Sequence, residues 1–184
     1  MRIIGGHLKG RKLHSVGTMN IRPTSDYLRE SIFNILADDI KDATVLDLFA
    51  GTGSLGIEAL SRGASKALFV DNQPRAIRII SRNVQTCQLQ EQSKILKWNI
   101  LRGLRLLRSI SPPFDIVFMD PPYRKNYVVK TLHLLHQADC IADNACIVIE
   151  HSIWEQVPKE LAGILRTDQR NYGNTLVSFY TPMV

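Results

Sequence analysis

Between residues 44 and 56 an apolar run, Thr44-Val-Leu-Asp-Leu-Phe49, empties into Ala50-Gly-Thr-Gly-Ser-Leu-Gly56, and that junction leaves few folds open. The run reads as a buried strand, and the glycines permit positive φ and close backbone approach at the start of the helix that follows. That helix is expected over 54–62, with Gly63 able to close it in a left-handed cap. The alternation continues with a strand over 66–71 and a helix from Pro74 to about residue 87, since proline suits a first helical turn. A strand over 94–98, a helical stretch with Arg102, Arg105 and Arg108 on one face, a strand over 114–119, a helix over 127–137 and a strand over 145–150 follow. Apolar strands alternating with amphipathic helices form a parallel sheet covered on both faces. Residues 164–170 and 175–181 flank the turn signal Asn171-Tyr-Gly-Asn174, which predicts a C-terminal antiparallel hairpin. The expected fold is therefore α/β, a mostly parallel seven-stranded sheet with helices on both faces.

Ahead of the first strand, residues 1–20 read as a glycine-punctuated hairpin or arm, and Thr24 or Ser25 as the cap of a helix presenting Leu28, Ile32, Ile35 and Leu36 on one face. A length of 184 residues suits one domain, with 1–40 as an extension and 41–184 as the core. Three cysteines without C-x-x-C spacing suggest neither a disulfide framework nor a zinc site. The N-terminus lacks the apolar core of a signal peptide and no run reaches membrane-spanning length, so a cytoplasmic location with no membrane partner is expected. The net charge of +6 favours a polyanionic partner. Of that total, +4 lies in residues 1–30, through Arg2, Lys9, Arg11, Lys12, Arg22 and Arg29 against Asp26 and Glu30.

Asp71 closes the second strand, 20 residues after Gly51. A carboxylate there can accept hydrogen bonds from two ribose hydroxyls, so loop and Asp71 together imply an adenosine-containing cofactor, S-adenosylmethionine or a nicotinamide dinucleotide. Asp47, just before the loop, would repel a pyrophosphate but attract the cationic end of adenosylmethionine. Asn99, past the third strand, stands where an amide could face adenine or simply begin a loop.

The fourth strand ends in Asp120-Pro-Pro-Tyr123, at the sheet edge where open α/β sheets bind ligands. The lone pair of a base's exocyclic amine is delocalised into the ring and attacks a methyl group poorly. If the Asp120 carboxylate and the Pro121 carbonyl hold both N–H bonds, the nitrogen can pyramidalise and aim a lone pair at a sulfonium. Pro121 and Pro122 fix φ at both positions, and Tyr123 offers a flat face for a flipped base.

With these motifs the chain resembles the class I adenosylmethionine-dependent methyltransferases, a Rossmann-like fold. Arg2-Ile-Ile-Gly-Gly, Gly10-Arg-Lys-Leu13, Arg22-Pro-Thr24 and Arg29-Glu30 further resemble the bacterial 16S ribosomal RNA guanine-N2 methyltransferase family, RsmD. The resemblance implies methylation of the N2 amine of guanine 966 of 16S ribosomal RNA, in the small subunit or an assembly intermediate; a monomer is expected, one that needs no metal, since the sulfonium is already an activated methyl donor, and that releases S-adenosylhomocysteine. It implies a cofactor site of Asp47, Phe49, Ala50, Gly51, Thr52, Gly53, Gly56, Asp71, Asn72, Asn99 and Ile100, with Thr24 in a segment that closes over it. Arg124 joins Arg2, Lys9, Arg11, Lys12, Arg22 and Arg29 as the RNA-contacting set. The chain departs from the family pattern at Asp71, where Glu is frequent, at Asn99, where Asp is, and at Tyr27, where Arg is usual.

Other readings stay open on the residues alone. A nicotinamide oxidoreductase would leave Asp120-Pro-Pro-Tyr123 without a role. A cytosine-C5 methyltransferase needs a cleft cysteine, whereas Cys87 falls late in an expected helix. A DNA adenine-N6 methyltransferase shares the amine chemistry but usually carries a recognition domain for which 184 residues leave no room. A non-catalytic RNA-binding assembly factor would not need the acceptor pair.

Overall fold

The computed structural model describes residues 1–15, 26–122 and 126–183. They fall into two compact units, Met1–Trp98 and Asn99–Val184.

In the first unit the arm is a hairpin. Arg2 and Lys12 form an antiparallel bridge, Gly10 N donates to the Ile3 carbonyl at 2.8 Å, and Ile3 and Leu13 are buried. Helix α1 (Asp26–Leu36) buries Leu28, Ile32, Phe33 and Leu36. Ile35, expected on that face, is exposed and Phe33 takes its place, because 3.6 residues per turn carries position 33 inward with 32 and 36. Strands β1 (Thr44–Leu48), β2 (Lys66–Asp71) and β3 (Ser93–Lys97) alternate with α2 (Ser54–Ser61) and α3 (Pro74–Cys87). The spatial order is β3-β2-β1 and all pairs are parallel. Every β2 residue after Lys66 is buried, as a strand covered on both faces requires.

In the second unit, α4 (Leu107–Ile110) precedes β4 (Phe114–Met119), α5 (Tyr127–Ala138) and β5 (Ile141–Ser152). Strands β6 (Glu160–Leu161), β7 (Ile164–Tyr172) and β8 (Thr175–Pro182) complete the spatial order β4-β5-β8-β7-β6. β4 and β5 are parallel and the remaining pairs antiparallel, with Tyr172 opposite Thr175 across the expected turn. Two features differ from the sequence reading. The described residues hold eight strands, because the two-residue β6 carries no alternation to detect. The stretch with Arg102, Arg105 and Arg108 is broken: a short 3-10 turn over Ile100–Arg102 ends at Gly103, whose φ of +112° lies outside helical space, and only Leu107–Ile110 is α-helical. No helix of the described residues is long and apolar enough to cross a membrane.

Candidate functional site

The loop after β1 is shaped by two buried carboxyl groups of its own unit. Phe49 takes a positive φ of +59°, uncommon for a residue with a side chain and frequent where a ligand is received. Ala50 N donates to the Val70 carbonyl at 3.1 Å and Gly53 N to the Ala50 carbonyl at 2.7 Å, pinning the loop to β2. Gly51 has φ +56°, and a Cβ there would meet only the Phe49 carbonyl at 3.8 Å, so the space above this backbone is open. At Gly56 a Cβ would overlap the Phe69 ring, so this glycine serves helix-to-strand packing.

Asp71 Oδ2 accepts from Gly51 N at 3.0 Å and Oδ1 from Gln73 N at 2.9 Å. A carboxylate accepts about four hydrogen bonds, which leaves capacity for ligand hydroxyls. Asp47 is 3% exposed and its Oδ2 accepts from Gly56 N at 3.0 Å. Burial pushes its carboxyl up to about 8, against the Gly56 N–H that favours the charged form and with Asp71 adding repulsion. Among the described residues neither carboxyl group has an ion-pair partner. An open backbone cradle with two uncompensated buried carboxyls fits a ligand that carries a cation and hydroxyls. Thr52 presents its carbonyl to Asn83 Nδ2 at 2.9 Å, and Asn72 is exposed.

In the second unit Asn99 Oδ1 accepts from Leu101 N at 3.1 Å, capping the 3-10 turn whose first residue, Ile100, is buried. Asp120 directly follows β4 and is partly exposed, Pro121 is buried and Pro122 exposed. Met119 pairs with Ile149, so Asp120 leaves the sheet beside the carboxyl end of β5. Tyr123 and Arg124 lie outside the described residues, as do Arg22 and Thr24. Among the described residues no group of three His, Cys, Asp or Glu side chains could hold a metal ion.

The expected RNA-contacting set divides. Arg2, Lys9, Arg11 and Lys12 are exposed on the arm, although Arg2 pairs with Asp26 at 3.2 Å and Arg11 Nη1 donates to the Thr86 carbonyl at 2.9 Å. Arg29 departs from the expectation. Its side chain is fully buried, its Nη2 bonds Asp26 and the Arg2 carbonyl, both at 2.8 Å, and its Nη1 lies 4.0 Å from Glu58, so no surface remains for an RNA phosphate.

Sequence reasoning missed Glu58 and Asn83, both fully buried. Glu58 accepts from Ile4 N at 2.8 Å, Gly5 N at 2.7 Å and Arg62 Nε at 2.8 Å, fastening the arm to α2. Its spacing of four from Arg62 was the available signal, since oppositely charged residues at i and i+4 share a helix face. Asn83 Nδ2 donates to the Thr52 carbonyl and, at 3.1 Å, to the His14 carbonyl, while its Oδ1 accepts from His14 N at 2.7 Å. A lone asparagine late in a helix carries no signal of such a role.

The family described as Conserved hypothetical protein 95 matches residues 1–181. An Escherichia coli K12 protein named "Ribosomal RNA small subunit methyltransferase D" is 37% identical over 158 residues, covering 86% of this chain and 78% of that protein. The Bacillus subtilis "Putative rRNA methyltransferase YlbH" is 35% identical over 180 residues, 98% of each. The solved structure of "Putative methyltransferase yhhF" from Escherichia coli superposes with a TM-score of 0.87 at 32% identity, over 100% of this chain and 98% of that one. The fold is accordingly the Rossmann-like methyltransferase α/β fold with a C-terminal antiparallel hairpin.

Proposed function

From the premise that this chain belongs to the Conserved hypothetical protein 95 family, among the RsmD-type ribosomal RNA methyltransferases, we propose that it methylates an exocyclic amine of small-subunit ribosomal RNA with S-adenosylmethionine. The amine is the N2 of a guanine, guanine 966 of 16S ribosomal RNA, presented by the small subunit or its assembly intermediate to an enzyme acting as a monomer in the cytoplasm. The observation that supports this reading is that Asp120 and the buried Pro121 directly follow β4 at its carboxyl end, where their carboxylate and carbonyl would serve as an acceptor pair.

Adenosylmethionine supplies a methyl group already activated on a sulfonium, so no metal is needed, and S-adenosylhomocysteine is released. Asp71 accepts from the ribose hydroxyls, with Asn72, Asn99 and Ile100 bordering the adenosine. Asp47, protonated in its buried setting, releases that proton to solvent as the cationic end arrives above Phe49, Ala50 and Gly51–Gly53, and becomes its counter-charge. Thr24 closes over the cofactor. Asp120 and the Pro121 carbonyl draw both N–H bonds of the amine, and the proton released on transfer goes to Asp120 or water. Pro122 holds the turn and Tyr123 stacks on the base. Lys9 and Lys12, with Arg2, Arg11, Arg22 and Arg124, hold phosphates. The test is adenosylmethionine calorimetry followed by mass analysis of small-subunit RNA. Saturable binding and one added methyl on guanine are expected, whereas a methyl on adenine or none at all overturns the proposal.

A further inference from the structure

The second unit holds a cleft of about 590 Å³ that the catalytic reading leaves unused. It opens where β5 ends. Because Met119 pairs with Ile149 in parallel register, the cleft residues from His151 onward continue the same sheet edge from which Asp120 emerges. Beside it stands Trp154, 75% exposed and flanked in sequence by two lining residues, Ile153 and Glu155.

One exposed apolar side chain needs no explanation by itself. The segment bearing this one, however, is fixed. Ile153 N donates to the Asn174 carbonyl at 3.2 Å, Trp154 N to Ser152 Oγ at 3.2 Å and Glu155 N to the Ser152 carbonyl at 3.0 Å. The backbone that carries the indole is thus ordered in advance, so only side-chain freedom is lost when a planar group stacks on it.

The polar wall of the cleft is closed upon itself. Gln169 Nε2 donates to Ser178 Oγ at 2.8 Å, that hydroxyl donates to His151 Nε2 at 2.9 Å, and His151 Nδ1 donates to the Ser152 carbonyl at 3.2 Å. Arg166 Nη1 reaches the Val157 carbonyl at 3.4 Å. Glu155 differs, since no described residue donates a hydrogen bond to its carboxyl group or pairs with it, and burial pushes that group above the usual carboxylate range. A lone acceptor of this kind repels phosphate but can receive the N–H groups of a base edge.

We infer that Trp154 and the Glu155 cleft form a second nucleobase subsite, which takes an unpaired base neighbouring the methylated one, Trp154 stacking on its face and Glu155 accepting from the N–H groups of its edge. The inference rests on the RNA reading above. Its chemistry favours guanine, whose N1–H and N2 amine can reach one carboxylate together, and an RNA strand over a peptide, because stacking and a base edge are both served at one rim.

The test measures Trp154→Ala, Trp154→Phe and Glu155→Gln against undermethylated small subunits and against the same RNA stripped of protein. Trp154→Ala should raise the KM for RNA about 5- to 150-fold, the range of stacking on one base. Its kcat and its adenosylmethionine affinity should stay unchanged, Trp154→Phe should restore most of the loss, and Glu155→Gln should raise KM several-fold with Trp154 intact. Stripped RNA should quench the tryptophan emission of the wild type and leave that of Trp154→Phe unaltered. Equal KM values for wild type and Trp154→Ala, with no quenching, overturn the subsite while leaving the methyltransferase reading in place. Dependence on Trp154 with whole subunits but not with stripped RNA overturns it in favour of a ribosomal protein. A wild type that transfers no methyl group to either substrate fails the proposed function, and the subsite with it.

Discussion

Glu58 and Asp47 are both buried carboxyl groups of the first unit, and their surroundings are opposite. Glu58 meets two backbone N–H groups of the arm, the Arg62 guanidinium and, at 4.0 Å, that of Arg29. Asp47 meets one N–H, that of Gly56, with a second carboxylate nearby instead of a cation. A buried carboxyl group whose charge its own chain neutralises is architecture, while one left without a cation is a place prepared for something that arrives later. The same contrast separates Arg29, absorbed by the fold, from Lys9 and Lys12, which stand in solvent.

The sharpest way to break this contrast is Glu58→Ala. It removes the acceptor of Ile4 N, Gly5 N and Arg62 Nε and leaves the buried Arg29 with Asp26 alone among the described carboxylates, which should cost about 3–5 kcal/mol in urea unfolding. A loss below about 1 kcal/mol would mean that the arm and α2 are not held together by this group. Asp120→Ala should act on chemistry alone, lowering methyl transfer at least about a hundredfold with the melting temperature and cofactor affinity retained. Equal loss of cofactor binding would place Asp120 on the wrong side of the comparison.

Asp71→Ala should weaken adenosylmethionine by about 1–3 kcal/mol in calorimetry, because two charged hydrogen-bond acceptors are lost. Asp47 makes a prediction in pH. Its native value of about 8 lies above the ordinary 3.8, so the folded state holds a proton that the unfolded state releases. Stability is then fully present below the ordinary value and declines as pH rises toward 8, by at most roughly 1.4 kcal/mol per pH unit. Asp47→Asn should flatten that decline and weaken cofactor binding, and an unchanged slope in pH-dependent melts would refute the uncompensated state. The smallest effect is expected on the arm. Lys9→Glu with Lys12→Glu should lower RNA affinity and reduce the salt slope by about 1 per lost phosphate contact, leaving adenosylmethionine binding untouched.

The sheet was legible where physics is local. Lys66–Asp71 and Phe114–Met119 are apolar runs bounded by charge or turn residues, and Pro74 marks the first turn of α3. The loop after β1 was legible because positive φ demands glycine at Gly51 and Gly53. The burial of Arg29 was not, since a basic residue in a basic segment is indistinguishable from a solvated one until its partners, Asp26 and Glu58, are placed in space. Gly103 likewise broke a stretch whose arginine spacing alone suggested a helix.

Asn83 joins the arm and the loop through a single side chain, with both amide protons on carbonyls and its oxygen on the His14 N–H. Such a side chain is a strut, and two bodies joined by a strut fluctuate together. The residual motion of Thr52 and of His14 should therefore share one amplitude, so that a hand laid on the arm is felt at the loop. The smallest isosteric exchange, Asn83→Asp, would turn that strut into a repulsion by facing a carboxylate to two carbonyl oxygens, and the two motions would come apart without any change in shape.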